Sequence, residues 1–337
     1  MTKHTSLHIS GTMRKSAWLF LFLCSCLLSF AQAPRLLRQQ KLSKWQIPAA
    51  NYSGITPLGG DLYAVVDDKA AKDGFCIFRI KVDSVKGRVT KVELVQQTQE
   101  IPQQKRAHDA EGVCYVPKTR TVFVSSEDNQ RIVEYNLDGK LTGRQLMIPS
   151  CFATDSIYGN VGFESLAYDA LRQRFVTTTE TNLRNEGIKG RHRLQTFGLD
   201  LRPKEQFPYQ LDEPAISKKS QHYIHGIAAI CADSDGSWLV LEREISIKKR
   251  YIGSKVHTKI YRVTPNDTKQ PLAKTLVCEF TSRIAPFSKR FANYEGMCLG
   301  PRLKDGRQTL LLIADSQGGA GNSLYRLHDY LKVIILP

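Results

Sequence analysis

Acidic side chains open a repeated segment of this chain. Glutamate begins EGVCYVP at Glu111, ESLAYDA at Glu164 and EGMCLGP at Glu295, whereas HGIAAIC has His225 in that place and a weaker match begins at Ser53. Carboxylates held close together raise each other's pKa values unless a cation neutralises them. If folding brings the repeats together, these residues predict a cation site shared by several of them.

A second set of acids ends the apolar run that follows each segment, as in TVFVSSED and TLLLIAD. The members of this set are Asp67, Asp68, Glu127, Asp128, Glu180, Glu242 and Asp315. Calcium tolerates irregular shells of carboxylate oxygens best, so we expect Ca²⁺ as the cofactor. The predicted ligands are Glu111, Glu164, Glu295, Asp67, Glu127, Asp128, Glu180, Glu242 and Asp315, and the catalytic candidates are Glu111, Glu164, His225 and Glu295. The alternative is that each acid pairs with a basic side chain or accepts backbone N–H bonds.

Short strands must position these residues. Each unit spans roughly 50–70 residues and contains several apolar runs, which predicts an all-β propeller of four-stranded blades. Five repeats are visible, and a sixth blade in the longer spacings stays open. The second repeat predicts strands at Glu111–Val116, Thr121–Ser126, Arg131–Leu137 and Arg144–Ile148, and Tyr325 with Leu327 marks the third strand of the last repeat.

Blade topology predicts which residues share a face. In an up-and-down blade the inner strand starts, and the second strand ends, at the same end of the disc. Both acidic sets should therefore ring one mouth of the central channel. The segment Lys41–Pro48 resembles the outer strand of the second repeat, so we expect it to join the last blade and close the ring.

Two long loops between second and third strands are basic and should lie on this face. They run over Thr181–Arg193 and Arg243–Thr258. Their predicted substrate-binding residues are Arg184, Arg191, Arg193, Arg243, Lys248 and Lys249. A basic rim over a metal site suits a small anionic or phosphorylated substrate. The alternative is a rim that only keeps the surface solvated.

Composition suggests export. Arg14 and Lys15 precede an apolar run over Ala17–Phe30, which is too short to span a bilayer and is typical of a signal peptide. We predict a leader over residues 1–31, with Met13 as an alternative initiator, and one domain over residues 32–337 in a secreted or periplasmic protein. A lipoprotein anchored at Cys26 is a weaker alternative. No second long apolar run follows, so no transmembrane anchor is expected in the mature chain.

Charge and missing motifs narrow the function. The chain carries 48 basic and 32 acidic side chains, and the mature part keeps a net charge of +13 once the three basic residues of the leader are removed. This excess favours an anionic partner or a generally basic surface. GxSxG, HExxH and P-loop motifs are absent, as is an aromatic-basic RNA motif, so a serine hydrolase of that type and a nucleic-acid partner are not expected.

The repeats resemble the bacterial phytase-like family, described as having esterase-like activity of phytase. The resemblance runs from Tyr52 to Leu327 and is carried by AEGVCY, GFESLAYD, WLVLERE and NYEGMCLGPRLKDGRQTLLLIAD. It implies a β-propeller, export, and a calcium-dependent hydrolase of phosphate or carboxylic esters. Two other functions stay open, namely a non-catalytic propeller that docks an anionic partner and a calcium-dependent lactonase-like hydrolase.

Overall fold

Five β-sheets arranged as propeller blades make up the structure, a computed structural model. It describes residues 33–70, 73–99, 109–159, 161–216, 220–249, 251–285, 288–321 and 326–337. Residues 34–336 form one compact unit. The prediction of an all-β propeller is confirmed, with five blades and no sixth among the described residues. The predicted leader lies outside these residues.

Blades 1 to 3 are four-stranded antiparallel sheets whose strands follow chain order. Blade 1 contains β3 (Tyr52–Gly59), β4 (Leu62–Asp67), β5 (Gly74–Val82) and β6 (Val89–Gln99). Blade 2 contains β7 (Ala110–Val116), β8 (Thr121–Ser126), β9 (Arg131–Asn136) and β10 (Leu141–Gln145). Blade 3 contains β11 (Phe163–Asp169), β12 (Arg174–Thr179), β13 (Arg191–Gly198) and β14 (Pro203–Gln210). The outer strand of blade 2 thus starts three residues before the predicted Arg144.

Blade 4 is the tallest sheet. It contains β15 (His222–Ala232), β16 (Trp238–Ile247), β17 (Lys255–Val263), β18 (Lys274–Ala285) and the short β19 (Ser288–Lys289). The predicted basic loop Arg243–Thr258 is therefore mostly strand, and only its centre forms a turn. In blade 3, likewise, Arg191 and Arg193 belong to β13 rather than to a loop.

The N-terminal segment closes blade 5. This sheet contains β20 (Asn293–Leu299), β21 (Thr309–Asp315) and β22 (Tyr330–Ile335), and β22 also pairs with β1 (Arg35–Leu36) and β2 (Gln40–Lys41). Pairing of β2 with β22 agrees with the expected ring closure, although Leu42–Trp45 forms a 3₁₀-helix instead of more strand. The third strand here is β22, so Leu327 lies outside it, and Tyr325 lies outside the described residues.

Little of the described chain is helical. Two more 3₁₀-helices occur at Ser150–Phe152 and Thr154–Ser156, and no described helix has the length and apolar character needed to cross a membrane. Five apolar clusters fill the gaps between neighbouring blades. Phe123 of blade 2, for example, packs against Phe175 of blade 3 with 4.6 Å between ring centroids. The six described cysteines are all free thiols.

Inner strands meet closely around the axis, in the order β3, β7, β11, β15 and β20. The glycine of the repeated Glu-Gly pair makes this approach feasible. A Cβ atom on Gly112 would come within 2.5 Å of the Leu166 nitrogen, and one on Gly296 within 2.4 Å of the Ser53 oxygen. The motif is therefore partly a packing requirement of the ring.

Candidate metal centre

A β-bulge turns one residue of each inner strand towards the axis. The pairing with the second strand shifts at Glu111 in β7, Glu164 in β11 and Glu295 in β20. Bulges re-aim side chains in this way because two residues oppose one on the partner strand. The same irregularity falls near Ser53 in β3 and at Ala228 in β15. The inner ring therefore has three glutamates, one serine and one alanine.

His225 is not the equivalent of the three glutamates. The bulge in β15 lies at Ala228, three residues after His225. The match between His225-Gly226 and the Glu-Gly pairs of the other repeats is therefore out of register. The His225 ring instead lines a small space beside Glu242, Glu244 and His257, away from the central cavity. Burial lowers the pKa of His225. The expectation that it lies with the glutamates is wrong.

A second ring comes from the ends of the second strands. Its five members occupy matching register positions and all line the central cavity: Asp68, Glu127, Glu180, Arg243 and Asp315. The predicted ligands Glu127, Glu180 and Asp315 therefore lie in this ring, whereas three other predicted ligands lie one residue away from it. Asp67, Asp128 and Glu242 do not line this cavity, whereas their neighbours Asp68, Glu127 and Arg243 do. Successive residues of a strand point to opposite faces, so a slip of one residue exchanges inside for outside.

Arg243 is the buried cation at the centre of both rings, with 4% of its surface exposed. Its Nη1 donates to Glu295 Oε1 at 2.5 Å and to Asn293 Oδ1 at 3.2 Å. Its Nη2 donates to Glu164 Oε1 at 3.2 Å and also to Glu180 Oε1. Although burial opposes its charge, these carboxylates raise the pKa of Arg243. Arg243 thus compensates one side of the cluster.

Lys69 compensates the charge on the other side of the cluster, and the sequence analysis did not predict it. Its Nζ lies 2.8 Å from Asp68 Oδ2 and 2.6 Å from Asp109 Oδ1. Asp109, also missed, stands two residues before Glu111, just as Asn293 stands two residues before Glu295. That shared spacing was the signal in the sequence from which Asp109 and Asn293 could have been found.

The cluster has more negative charge than its cations compensate. Its carboxyl groups are Asp68, Asp109, Glu111, Glu127, Glu164, Glu180, Glu295 and Asp315, against Lys69 and Arg243. Among the described residues, no hydrogen-bond donor contacts the Glu111 carboxylate, and Asp68 Oδ1 is buried without a partner. Burial in water-poor surroundings disfavours unpaired charge strongly. The site therefore requires either protons or a further cation.

The raised pKa values of the cluster agree with this deficit. Burial, then repulsion from Glu164 and Glu295, raises the pKa of Glu111 well above its usual range. Burial, reinforced by Glu180 and Asp109, raises the pKa of Glu127 to about 8. Burial also raises the pKa of Glu295 to about 7, against the opposing effect of Arg243.

Two groups of oxygen ligands in the cluster fit a metal ion. One carboxylate oxygen from each of Asp68, Asp109 and Glu111 lies within 4.8 Å of the others, and the same holds for Glu127, Glu164 and Glu180. Asp68, whose Oδ1 is buried without a hydrogen-bond partner, is a member of the first group. All-oxygen donor sets of this kind suit hard divalent cations. A cluster of buried acids able to bind a metal is thus present.

The predicted basic rim does not line the cavity. Arg193 pairs with Glu186 at 2.6 Å, Arg191 donates to Gln210 at 3.3 Å, and Arg184 stacks on Tyr158. Lys248 and Lys249 follow β16 and are not among the cavity residues either. Of the six predicted substrate-binding residues only Arg243 faces the cavity, where it is enclosed by carboxylates.

Comparisons with known proteins come from sequence and from backbone shape. No curated protein matches the sequence. Among solved structures, a member of the duf4221 family from Bacteroides vulgatus aligns with 12% identity and a TM-score of 0.43 over 90% of this chain and 99% of that chain. A gluconolactonase from Xanthomonas campestris aligns with 9% identity and a TM-score of 0.42 over 91% and 96%. A periplasmic gluconolactonase from Pseudomonas aeruginosa aligns with 13% identity and a TM-score of 0.36 over 82% of this chain and 71% of that chain.

The family assignment rests on a separate comparison with family models. The model described as "Phytase-like: Esterase-like activity of phytase" matches residues 47–317, which include all five inner strands and the whole acidic cluster. The match covers most of the chain and agrees with the resemblance seen in the repeats. The protein therefore belongs to the phytase-like family.

Proposed function

We propose that this protein is an exported hydrolase that cleaves ester bonds with the help of a divalent cation, Ca²⁺ by preference. The observation that carries the proposal is the pair of stacked rings, in which buried carboxylates outnumber the cations that compensate them. Membership of the phytase-like family supports ester hydrolysis. Export rests on the predicted leader.

Asp68, Asp109 and Glu111 would hold one cation, and Glu127, Glu164 and Glu180 offer a second position. A bound cation would supply polarisation of the ester oxygen and a lower pKa for an attacking water. Lys69 keeps Asp68 and Asp109 together, and Arg243 keeps Glu164 and Glu180 together. The chain's own cations thus position the ligands.

Glu295 is the proposed proton acceptor. Its Oε1 is held by Arg243 and by the Asn293 amide at 2.7 Å, and it belongs to neither ligand group. Oε2 has no hydrogen bond within the described part of the chain, so it can accept a proton from water in the cavity. A general base works best when its pKa is near the working pH.

A hydrolase panel tests the proposal. A phosphomonoester, phytate, an aryl acetate and a lactone are offered to the metal-free protein, with calcium and with chelator. We expect calcium-dependent turnover of at least one ester, and loss of turnover in Glu295→Gln with calcium binding retained. Turnover that is equal with chelator and with calcium contradicts the metal dependence.

A second candidate function, docking of an anionic partner, is favoured by a groove elsewhere on the molecule. This groove, about 700 Å³, lies beside β1 and β2. Its charged lining residues are all basic: Arg35, Arg38, Lys41, Lys44 and Arg88. Retention on a heparin column that is lost when Arg35, Arg38 and Arg88 are changed to Ser would support this function.

A further inference from the structure

An apolar wall stands directly above the acidic cluster, on the tall blade 4. In β16 the face that carries Arg243 into the channel continues with Ile245 and Ile247, and Ile224 of β15 pairs with Ile245. These three isoleucines line the central cavity and are only half-buried. Because strands alternate faces, every second residue of this hairpin is aimed at the same space.

Three more apolar residues complete the wall: Tyr251 at the hairpin turn, Phe291 just before β20, and Leu327. Ile245, Ile247, Tyr251 and Leu327 also pack against the small apolar cluster that contains Phe291. The wall is therefore supported from behind. The cavity has a volume of about 480 Å³, with carboxylates at one end and this wall at the other.

Tyr251 has a backbone conformation that its side chain disfavours. Its φ is 62°, in the left-handed region where glycine and asparagine are the usual residues. The turn is nevertheless held by hydrogen bonds from Tyr251 N to Lys248 O and from Ser254 N to Tyr251 O, both 2.9 Å. A bulky aromatic residue at this position brings its ring to the cavity at a cost in backbone energy.

The charges of the cavity argue against a substrate with several phosphates. Within the described residues, only Lys69 and Arg243 bring a Lys or Arg side chain to the lining. Each is already shared between at least two carboxylates. Apart from a bound metal ion, a polyphosphate would find no free cationic group here.

We infer that the substrate is a carboxylic ester whose acyl chain or leaving group is apolar and lies on the wall of Ile224, Ile245, Ile247, Tyr251, Phe291 and Leu327. This inference rests on the proposed function and names its substrate class. The ester group would sit over the carboxylate cluster while the apolar part is removed from water. Such burial increases specificity by about fourfold for each methylene group buried.

The test compares p-nitrophenyl acetate, butyrate and octanoate, with phytate as the phosphorylated alternative, in the presence of calcium. We expect kcat/KM to rise about fifteenfold from acetate to butyrate, which has two more methylene groups, and further to octanoate, with no phytate turnover. Two variants remove parts of the wall. Ile247→Thr keeps the β-branched shape, and Tyr251→Gly suits the positive φ, so both should fold.

In both variants the octanoate-to-acetate ratio of kcat/KM should fall towards one. Ile188→Thr is the matched control, because Ile188 is 49% exposed and lies outside the cavity, and it should keep the wild-type ratio. A ratio near one in the wild type, an unchanged ratio in both variants, or preferred turnover of phytate would overturn the inference.

A binding measurement separates this inference from the proposed function. The uncharged fluorophore N-phenyl-1-naphthylamine should bind the wild type and the Ile188→Thr control, and bind at least fivefold more weakly to the wall variants. If no ester is hydrolysed but this pattern is found, the proposed function fails and an apolar ligand site stands. If esters are hydrolysed and the fluorophore binds all four proteins equally, the wall is not the site.

Discussion

Buried carboxylates lie on both sides of β16, and the two groups differ in how their charge is compensated. On the face away from the channel, Glu242 accepts bonds from Tyr209 Oη at 2.7 Å and Lys274 Nζ at 2.6 Å. Glu244 accepts from the backbone nitrogens of Ala215 and Ile216 and from the Tyr223 hydroxyl. Every oxygen of this pair has a donor.

Arg243 lies between them in sequence but on the channel face, where one guanidinium serves Glu164, Glu180 and Glu295. Glu111 beside them has no donor among the described residues. Carboxylates that are equally buried therefore differ in function. One with a full set of hydrogen-bond donors stabilises the fold, whereas one without donors can bind a cation. The count of donors separates the two better than burial does.

The largest effect should come from removing the shared cation. Arg243→Met leaves three buried carboxylates without compensation, and we expect it to lower the free energy of unfolding by about 3–5 kcal/mol in metal-free protein. Urea denaturation with chelator measures this. The surface pair of Arg193 with Glu186 supplies the control, since Arg193→Met should cost at most about 1 kcal/mol. Similar losses in both variants would contradict the proposed role of Arg243.

The stabilisation by calcium should depend on the carboxylates on the channel side of β16 and not on Glu242 on its other side. At a hundredfold excess over its Kd it should stabilise the wild type by about 2.7 kcal/mol, because it binds only the folded state. The double variant Glu111→Gln and Glu295→Gln should lose this gain. Glu242→Gln, on the other face, should be less stable than the wild type yet keep the full calcium response. Thermal unfolding with and without calcium distinguishes them, and a normal response in the double variant would refute the assignment.

Metal-free protein should lose stability as the pH rises from 6.5 to 8.5. Folding raises the pKa of Glu295 to about 7 and that of Glu127 to about 8, so above the unfolded value the folded state binds more protons than the unfolded state. The free energy of unfolding then falls with pH, and these two groups contribute about 2.7 kcal/mol of that fall over this window. Burial lowers the pKa of His192 to about 3, so this residue does not titrate in the folded state between pH 6.5 and 8.5.

Urea denaturation in chelator at several pH values measures the slope. Glu127→Gln combined with Glu295→Gln should flatten it, and so should saturating calcium, which replaces the protons. A wild-type stability that stays constant or rises over the window would show that the cluster is already compensated.

The smallest effect is expected from the basic residues outside the cavity. Arg191 and Lys249 lie away from the cluster, so changing both to Ser should alter kcat/KM by less than about twofold for a carboxylic ester. Stability should change by no more than about 0.5 kcal/mol, because Lys249 is exposed and Arg191 is only half-buried. A large rise in KM that disappears at high salt would restore the basic rim as a substrate site.

Much of the fold could be predicted because each repeat states the same pattern again. The periodic apolar runs locate the strands, and the Glu-Gly pair locates the bulge where inner strands pack closest. Glu111, Glu164 and Glu295 follow directly from that repetition. Ring closure by the N-terminal segment was also expected, although the pairing strands are Arg35–Leu36 and Gln40–Lys41, so that only Lys41 of the predicted segment Lys41–Pro48 lies in a strand.

What could not be predicted depends on register and strand length. His225-Gly226 imitates the Glu-Gly pair, yet the true bulge lies three residues later, and only pairing with β16 reveals this. Asp67 and Asp68 are both acidic, so sequence cannot tell which one faces inward. The height of blade 4 depends on cross-strand pairing of Ile224 with Ile245, which turns a supposed basic loop into an apolar wall.

The closure of blade 5 has a consequence for how the chain folds. Arg35 pairs with Ile335, 300 positions later, so the first described strand can find its place only after the last one has been synthesised. Contacts between such distant parts of a chain form slowly. Until they form, the outer edge of β22 offers unpaired backbone groups to other chains. Assembly of the ring is thus the step at which this protein is most exposed to aggregation, and the exposure ends when β1 and β2 pair with β22.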